Sequence, residues 1–367
     1  MTSADRAQRV PASQGRRRVL ARLGQAGALV LLPAAGLVAG CSKPPAVHTL
    51  EGPTMGTGWT VRLGDPLPVA LPVLRGEIER HLEAVNAEMS TYRADSLITR
   101  FNRATAGEAV ELSPGFADVL AAALALARET GGAYDPTVGP LVNLWGFGPD
   151  GTRKAPPSAE LVDEARARVG WQRLAFDQGA RRLVQPGGVY LDLSSIAKGH
   201  AVDRIVDHLR ARGLRSAMVD IGGDLRVIGR RPDGRPWQIG VERPVEGTRE
   251  VQTVVGMPDD MALATSGSYR NFFRDGGRRF AHLIDPRTAE PVAHRLVSAS
   301  VLHATCTQAD ALATALSVLG PDEGMAFARA RDLAVLLLVA EDADAADGGR
   351  VVEHATAGFA KLLDPKA

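Results

Sequence analysis

Apolar and polar residues alternate with two different periods along this chain of 367 residues. A helical period is clearest in residues 74–89, where the apolar positions are Leu74, Ile78, Leu82, Val85 and Met89. Intervals of three and four residues place these side chains on one face of a helix. The pattern therefore predicts an amphipathic helix over this segment.

Two further segments carry signals for the ends of helices. Ser113 followed by Pro114 is typical of an N-cap with proline at the first helical position, and the Ala/Leu-rich run after them stops at Gly131. Residues 199–211 repeat the helical period and reach Gly213, a frequent helix terminator. Both segments are predicted to be helices.

Six apolar runs have the length and composition of β-strands. They are SAMVDI (216–221), LRVIG (225–229), WQIGVE (237–242), FAHLID (280–285), LVSASVL (296–302) and AVLLLVA (334–340). Turns such as RPDGRP (231–236) indicate antiparallel pairing. Helical and strand segments do not alternate regularly, so the predicted class is α+β, with mixed, largely antiparallel sheets and packed helices.

The first forty residues have the pattern of an export leader. A basic GRRRVL segment precedes an apolar run of about 15 residues, which is short for a membrane span. The run ends in LVAGC, and this pattern predicts a lipoprotein signal peptide (1–40) with lipid attached to Cys41. Residues 41–49 would form a tether. An ordinary signal peptide or an uncleaved anchor are the alternatives.

Removing the leader changes the charge of the chain. The whole sequence has a formal charge of +1, but residues 1–40 carry six arginines and one aspartate, which leaves −4 on the remainder. No basic stripe with interleaved aromatic residues is present, so a nucleic-acid partner is not expected. Cys306 is the second of the two cysteines in the chain, and it is predicted to behave as a small buried apolar residue.

Common catalytic fingerprints are absent from the sequence. It contains no phosphate-binding G-x-x-x-x-G-K-[ST] loop, no G-x-G-x-x-G after a predicted strand, no H-E-x-x-H and no G-x-S-x-G. The eight histidines are scattered, which argues against a zinc site. The remaining signals are short motifs that combine glycine with polar residues.

Eight such motifs occur in order along residues 50–367. They are GPTMGT (52–57), STYRADSLITRFN (90–102), GGAYDPTVGPLVNLWGFG (131–148), DLSSIAKGHAVD (192–203), VDIGGDLRVIG (219–229), ATSGSYRNFF (264–273), HLIDPRTAEP (282–291) and ADALATAL (309–316). In order and spacing they resemble the FAD:protein FMN transferases, the ApbE-type flavin-trafficking lipoproteins. The resemblance implies an ApbE-like, T-fold-like domain over residues 50–367.

The resemblance also implies an activity. Members of the family use Mg²⁺ to split FAD and transfer FMN to a Ser or Thr hydroxyl of a target protein, forming a phosphoester and releasing AMP. The expected acceptor is a subunit of a membrane redox complex. The expected location is the periplasmic side of a bacterial membrane, the inner membrane being favoured, with Cys41 in the lipid bilayer. Two alternatives remain: a periplasmic FAD pyrophosphatase and a flavin-binding lipoprotein without catalytic activity.

The family pattern assigns a magnesium site to Asp310, Thr314 and the backbone carbonyl of Ser195. Asp310 and Thr314 are four residues apart, so they lie on one helix face, and oxygen ligands suit Mg²⁺. Another interpretation is structural: Thr307 would be a helix N-cap and Asp310 its partner in a capping box.

Lys198 is one of only five lysines in the chain and lies near a predicted helix start. Its ammonium can stabilise a pyrophosphate without a fixed geometry, and the small residues Ala197 and Gly199 leave room for a ligand. An exposed lysine without function is the alternative, although a helix N-terminus disfavours a cation. Lys198 is thus predicted to be catalytic and to bind FAD.

His282 and Asp285 are the remaining catalytic candidates. A histidine titrates near working pH, so His282 could be the general base for the acceptor hydroxyl; it could also be a structural histidine bonded to Asp285. Ser266 and Gly267 could allow close approach of the backbone to a ligand. The resemblance assigns the other flavin-binding positions to Met55, Tyr92, Ala133, Tyr134, Asp135, Asp192, His282 and Ile284.

Overall fold

A computed structural model describes residues 46–363, apart from residue 65 and residues 246–249 and 342–348. The predicted leader and Cys41 lie outside the described residues. The strands are β1 (Val47–Thr54), β2 (Thr57–Gly64), β3 (Ala109–Glu111), β4 (Ala175–Asp177), β5 (Arg182–Val184), β6 (Ala217–Ile221), β7 (Asp224–Ile228), β8 (Gln238–Glu242), β9 (Val251–Gly256), β10 (Ala262–Gly267), β11 (Phe272–Asp275), β12 (Arg278–Ala281), β13 (Ile284–Asp285), β14 (Glu290–Pro291), β15 (Leu296–His303), β16 (Ala334–Ala340) and β17 (Val351–Ala355).

The helices of the described chain come from all parts of the sequence. They are α1 (Leu71–Met89), α2 (Leu97–Arg103), α3 (Pro114–Glu129), α4 (Gly139–Leu144), α5 (Ala159–Arg166), α6 (Ala197–Ala211), α7 (Cys306–Ala330) and α8 (Ala357–Ala360), with a 3₁₀ turn at Trp171–Arg173. None of them, within the described residues, combines the length and hydropathy that a membrane crossing requires.

The largest sheet has eight strands in the order β1-β2-β6-β7-β10-β15-β16-β17, and all neighbouring strands are antiparallel. Pairing of residues far apart in sequence, such as β2 with β6, brings the motifs to one region. The predicted α+β class is confirmed by this mixture of helices and antiparallel sheets.

Both faces of this sheet are buried. Alternate residues of β16 show the arrangement: Val335, Leu337 and Val339 join the core under the helices, whereas Leu336, Leu338 and Ala340 join a second core. α6 and α7 cover the first face, and the second core is completed by residues of β8, β9 and α8. Burial on both faces explains why β16 reads as an uninterrupted apolar run.

The local helix predictions are confirmed. All five apolar residues predicted on the 74–89 face are buried in α1. The Ser113 side chain accepts a hydrogen bond from the Phe116 amide and begins α3, and α6 ends before Gly213, whose φ is +87°. Cys306 is a buried free cysteine, as predicted.

Two strand predictions were wrong in detail. RPDGRP does not close a hairpin, because β7 already pairs with β6 on one edge and β10 on the other; β8 instead pairs with β9. FAHLID is not one strand, because the chain changes partner within it: β12 pairs with β11, and β13 pairs with β14.

Candidate active site

Seven of the eight motifs contribute residues to the lining of one cavity of about 910 Å³; the motif at residues 90–102 does not. The predicted site residues in its lining are Met55, Ala133, Tyr134, Asp135, Asp192, Ser195, Lys198, Ser266, Gly267, His282, Ile284, Asp310 and Thr314. Two predicted residues, Tyr92 and Asp285, are not part of this lining. A cavity of this size can enclose a dinucleotide-sized ligand for much of its length.

A buried charge cluster forms the polar wall of the cavity. The Lys198 Nζ lies 2.7 Å from Oδ2 of Asp224 and 3.1 Å from Oδ1 of Asp310. The carboxylates are almost completely buried, with 4% and 3% of their side chains exposed, whereas 28% of the Lys198 side chain is exposed. The ammonium therefore connects two buried carboxylates to the open space of the cavity.

The cluster holds more negative than positive groups, and this affects their pKa values. Burial, reinforced by the charge of Asp310, raises the pKa of Asp224, while Lys198 opposes that change. Burial alone would lower the pKa of Lys198, but the two carboxylates outweigh it and raise the value. Lys198 thus stays protonated, and the cluster favours an additional cation.

Asp310 is held by α6 rather than by its own helix. Its Oδ2 accepts a hydrogen bond of 3.0 Å from the Gly199 amide. The N-cap of α7 is Thr305, whose side chain accepts from the Gln308 amide, so the interpretation of Thr307 and Asp310 as a capping box was wrong. A Cβ at Gly199 would lie 2.2 Å from the Cys306 carbonyl oxygen, so only glycine allows this approach.

Asp203 fixes the start of α7 against α6. Its carboxylate accepts hydrogen bonds from the amides of Cys306 (2.9 Å) and Thr307 (2.8 Å), from the Thr307 hydroxyl (2.6 Å) and from Arg226 (2.8 Å). The sequence analysis did not identify this residue. A carboxylate on the apolar face of α6, between Ala201 and Ile205, was the signal that could have revealed it.

The donors at this wall suit a hard divalent cation. Asp310 provides a carboxylate, and the Thr314 hydroxyl lies 3.1 Å from the Ser266 hydroxyl on the same cavity surface. Oδ2 of Asp224 makes the ion pair with Lys198 but no well-directed hydrogen bond. No set of three His, Cys, Asp or Glu side chains suited to a metal occurs in the described residues. Carboxylate, hydroxyl and carbonyl oxygens completed by water are typical of Mg²⁺.

The cavity lining also contains the segment Ala133–Tyr134–Asp135, to which the resemblance assigns flavin contacts. Tyr134 is buried, and its hydroxyl accepts a 3.0 Å hydrogen bond from Ser195. Burial raises the pKa of Tyr134, which keeps the phenol neutral. Asp135 lines the cavity, but its Oδ1 accepts from the Thr137 amide (2.8 Å) and hydroxyl (2.6 Å), so this carboxylate mainly orders its own loop.

His282 lies in the cavity wall without its predicted partner. Its Nδ1 is 3.2 Å from the Asn271 carbonyl oxygen, an acceptor, so Nδ1 carries the proton and Nε2 is the basic nitrogen. Burial lowers the pKa of His282. The proposed bond to Asp285 was wrong, because that carboxylate instead accepts hydrogen bonds from the Arg287 amide and guanidinium.

Tyr92 is exposed beside the cavity, and its predicted contact with the flavin stays a prediction. Its side chain is 69% exposed and is not in the cavity lining. Burial of its hydroxyl end, together with the charge of Asp192, raises the pKa of Tyr92, so the ring lies close to a residue that does line the cavity. The side chain belongs to the surface beside the cavity.

Asp224 was not identified from the sequence, and neither was a group of polar residues in the cavity lining. Glu242, Tyr269 and Arg270 form a polar group at one side, where the Tyr269 hydroxyl donates to Glu242 over 3.4 Å and Arg270 pairs with the same carboxylate. Tyr269 and Arg270 lie within the ATSGSYRNFF motif, whereas Glu242 ends a strand and carries no local signal of function.

Comparison with known proteins identifies close relatives. The profile of the ApbE family matches residues 55–337. An FAD:protein FMN transferase of Vibrio cholerae is 43% identical over 336 residues, covering 91% of this chain and 98% of the relative. The Haemophilus influenzae protein of that name is 41% identical, with 90% of this chain and 95% of the relative covered.

The structure of the flavin transferase ApbE from Vibrio cholerae superposes with a TM-score of 0.79 at 41% identity, covering 87% of this chain and 100% of that one. The Pseudomonas stutzeri flavinyl transferase ApbE in its apo form gives 0.78 at 39% identity, with 87% and 97% covered.

Proposed function

Since this chain belongs to the ApbE family, we propose that it transfers FMN from FAD to a Ser or Thr hydroxyl of a target protein in a Mg²⁺-dependent reaction that releases AMP. The chain is an FAD:protein FMN transferase, as its relatives are. The observation that carries the finer proposal is the buried cluster of Lys198, Asp224 and Asp310 in the cavity wall.

The cluster and its neighbours provide the parts that phosphoryl transfer needs. Asp310, Thr314 and the Ser195 carbonyl would hold Mg²⁺, which supplies Lewis-acid stabilisation of the pyrophosphate oxygens. Lys198 adds positive charge on the same wall, at the surface of the cavity. Tyr134 and Met55 bound the space for the flavin.

His282 would accept the proton of the acceptor hydroxyl. The acceptor oxygen bonds to the phosphorus of the FMN moiety, the bond from that phosphorus to the bridging oxygen breaks, and AMP leaves with the bridging oxygen. The hydroxyl proton would pass to Nε2 of His282. This nitrogen is unprotonated because Nδ1 carries the ring proton and donates it to the Asn271 carbonyl. The product is a phosphoester.

One incubation tests the proposal against its rivals. The protein is mixed with FAD, Mg²⁺ and a candidate acceptor, and the acceptor mass and free AMP are measured. Transfer adds the mass of FMN to the acceptor; a pyrophosphatase would release free FMN instead. A carrier without catalytic activity would leave FAD intact, a result that the buried ammonium and carboxylates of the cavity argue against.

His282→Asn is expected to lower FMN transfer by about a hundredfold to ten-thousandfold while FAD binding is retained. Because the pKa of His282 is lowered by burial, the histidine remains a base below its ordinary value, and the acid limb of the wild-type rate profile should fall below about pH 6.5. Rates of transfer against pH measure both effects. An unchanged profile in the variant would remove His282 from the reaction.

The cellular location rests on the leader sequence. Cys41 is the proposed lipid anchor, which would hold the enzyme on the periplasmic side of a bacterial membrane, with the inner membrane favoured. A subunit of a membrane redox complex would be the acceptor. Support comes from the basic segment, the short apolar run and the small residues before Cys41.

Cys41→Ser is expected to release the protein from membranes without loss of transfer in vitro. The substitution removes the thiol that carries lipid and does not alter any residue of the cavity lining. Fractionation of cells into membrane and soluble pools measures the change. Persistence of the variant in the membrane pool would show that another segment provides the attachment.

A further inference from the structure

The N-termini of α6 and α7 meet at the charge cluster, and each is capped by a carboxylate of the other helix. The Gly199 amide in the first turn of α6 donates to Asp310 of α7 over 3.0 Å. In the first turn of α7, the amides of Cys306 and Thr307 donate to Asp203 of α6 over 2.9 and 2.8 Å. Amides of a first helical turn have no partner within their own helix. The two helices therefore complete each other, and we call this group of five residues the helix clasp.

The contacts of the helix clasp share one spacing. Gly199 and Asp203 are four residues apart on α6, and Cys306 and Asp310 are four residues apart on α7. About one helical turn thus separates the donor from the acceptor on both helices. Because the two contacts lie one turn apart, they oppose both sliding and rotation of α7 against α6.

The two carboxylates of the helix clasp differ in what else they contact. Each oxygen of Asp203 accepts two hydrogen bonds, and the side chain lies outside the cavity lining. A carboxylate has about four acceptor sites, so Asp203 has none left for a cation. Asp310 lines the cavity, and its oxygens lie 3.1 and 3.3 Å from Nζ of Lys198. Of the two, Asp310 is thus the carboxylate that can meet a cation in the cavity.

Strand β7 fixes α6 on the sheet. Asp224 and Arg226 are two residues apart on this strand, so their side chains lie on the same face. Asp224 pairs with Lys198 of α6 at 2.7 Å, and Arg226 pairs with Asp203 of α6 at 2.8 Å. Only 11% of each side chain in the second pair is exposed, and a buried pair is costly to break. Asp203 therefore connects α6 both to the sheet and to the start of α7.

The proposed magnesium ligands come from both sides of the helix clasp. Ser195 precedes α6, whereas Asp310 and Thr314 belong to α7. Mg²⁺ requires a near-octahedral set of oxygens at about 2.0–2.1 Å, whereas Ca²⁺ accepts about 2.3–2.6 Å and less regular geometries. A shift of a few tenths of an ångström between α6 and α7 is therefore enough to change which cation the ligands fit.

We propose that Asp203 is a positioning residue that holds α6 and α7 in the register that makes the cavity selective for Mg²⁺ over Ca²⁺. The inference rests on the proposed Mg²⁺-dependent transfer and adds the residue on which the choice of cation depends. Asp203 acts through Asp310 and the start of α7, and it does not contact the cation itself.

The test measures FAD affinity with Mg²⁺, with Ca²⁺ and without a divalent cation, and the thermal midpoint of the metal-free protein. We expect the wild type to bind FAD about tenfold more tightly with Mg²⁺ than with Ca²⁺. Thr307→Val removes only the hydroxyl that donates to Asp203 over 2.6 Å and should lower this ratio to about threefold. Asp203→Asn cannot accept all four hydrogen bonds and should lower the ratio to about one.

Thr356→Val is the control for loss of stability. It deletes a buried threonine hydroxyl that donates to the Leu333 carbonyl over 2.8 Å at the start of α8, outside the cavity lining. Its thermal midpoint should fall at least as far as that of Thr307→Val, because both lose a hydroxyl hydrogen bond. Its preference for Mg²⁺ should remain that of the wild type.

The outcomes separate this inference from the transfer proposal. Lower thermal midpoints with an unchanged ratio in Thr307→Val and Asp203→Asn would make Asp203 a structural residue only and overturn the inference. An equal loss of the ratio in Thr356→Val, or a wild type that does not distinguish the two cations, would overturn it as well. If Asp203→Asn does not fold, Thr307→Val and its control decide. FAD binding by the wild type that responds to neither cation would remove the metal site, and the transfer proposal would fail together with the inference.

Discussion

Asp310→Asn is expected to leave the protein folded and to lower FMN transfer about a thousandfold or more. The substitution removes the carboxylate that the proposed metal site depends on. FAD affinity should also lose its response to Mg²⁺, because a neutral amide is a poor ligand for a hard cation. Rates of transfer and FAD titrations with and without Mg²⁺ measure the two effects.

The charges around Asp310 explain why stability should survive. Wild-type protein buries two carboxylates beside one ammonium, and the charge of Asp310 raises the pKa of Asp224. The variant would keep a balanced pair of Lys198 and Asp224. The amide oxygen can accept from the Gly199 amide or from Lys198 but not fully replace both contacts. Relief of repulsion and loss of a hydrogen bond should cancel to within about 1 kcal/mol.

Asp322→Asn provides a matched control, because it makes the same chemical change at an exposed position of α7, beyond the break in the helix at Gly320. It should behave as the wild type in every measurement. If Asp310 served only as a buried ion-pair partner, its variant would lose stability and keep Mg²⁺-responsive FAD binding. Normal turnover of Asp310→Asn at low Mg²⁺ would show that the metal does not bind at this residue.

Local rules predicted the helices well because their causes are local. The apolar stripe of α1 and the Ser113 cap of α3 depend on residues within a few positions of one another. Sheet order could not be predicted in this way, because β2 pairs with β6 across the segment that holds α1–α6. A turn signal such as RPDGRP also says nothing about whether the edges of β7 are already occupied.

At the site, too, the identity of many residues could be predicted from the sequence, whereas their contacts could not. The motifs and the resemblance together named thirteen residues that do line the cavity, but they did not supply their contacts. Asp224 follows Gly222 and Gly223 in the VDIGGDLRVIG motif, where no local signal indicates that its carboxylate pairs with Lys198. Its role follows only from the fold, which brings β7 and α7 to Lys198.

Short sequence separation was misleading for Asp285. Asp285 lies three positions from His282, but its carboxylate faces Arg287, because β13 and β14 form a separate pair with its own turn. Tyr92 belongs to a motif next to the cavity, but its ring remains 69% exposed. Neighbouring residues in the chain can face different directions, and that is a property of tertiary structure.

Lys198→Ala is expected to lower both stability and FMN transfer, unlike Asp310→Asn. The change leaves Asp224 and Asp310 buried together without the ammonium that lies 2.7 and 3.1 Å from them. Breaking a buried pair by removing one partner costs on the order of 3 kcal/mol, so the thermal midpoint should fall. Transfer should fall about a hundredfold to a thousandfold, because positive charge beside the pyrophosphate is lost.

Lys198→Arg separates these two contributions. A guanidinium can pair with both carboxylates, so most of the lost stability should return. Turnover should remain low, because a planar fork held by the carboxylates places its charge differently from a compact ammonium. Lys154→Ala, at an exposed position outside the cavity lining, is the control and should match the wild type. Thermal midpoints and transfer rates of the three variants are the measurements. Full activity in Lys198→Arg would show that the residue only neutralises buried charge. Normal stability and turnover in Lys198→Ala would show that the residue contributes to neither.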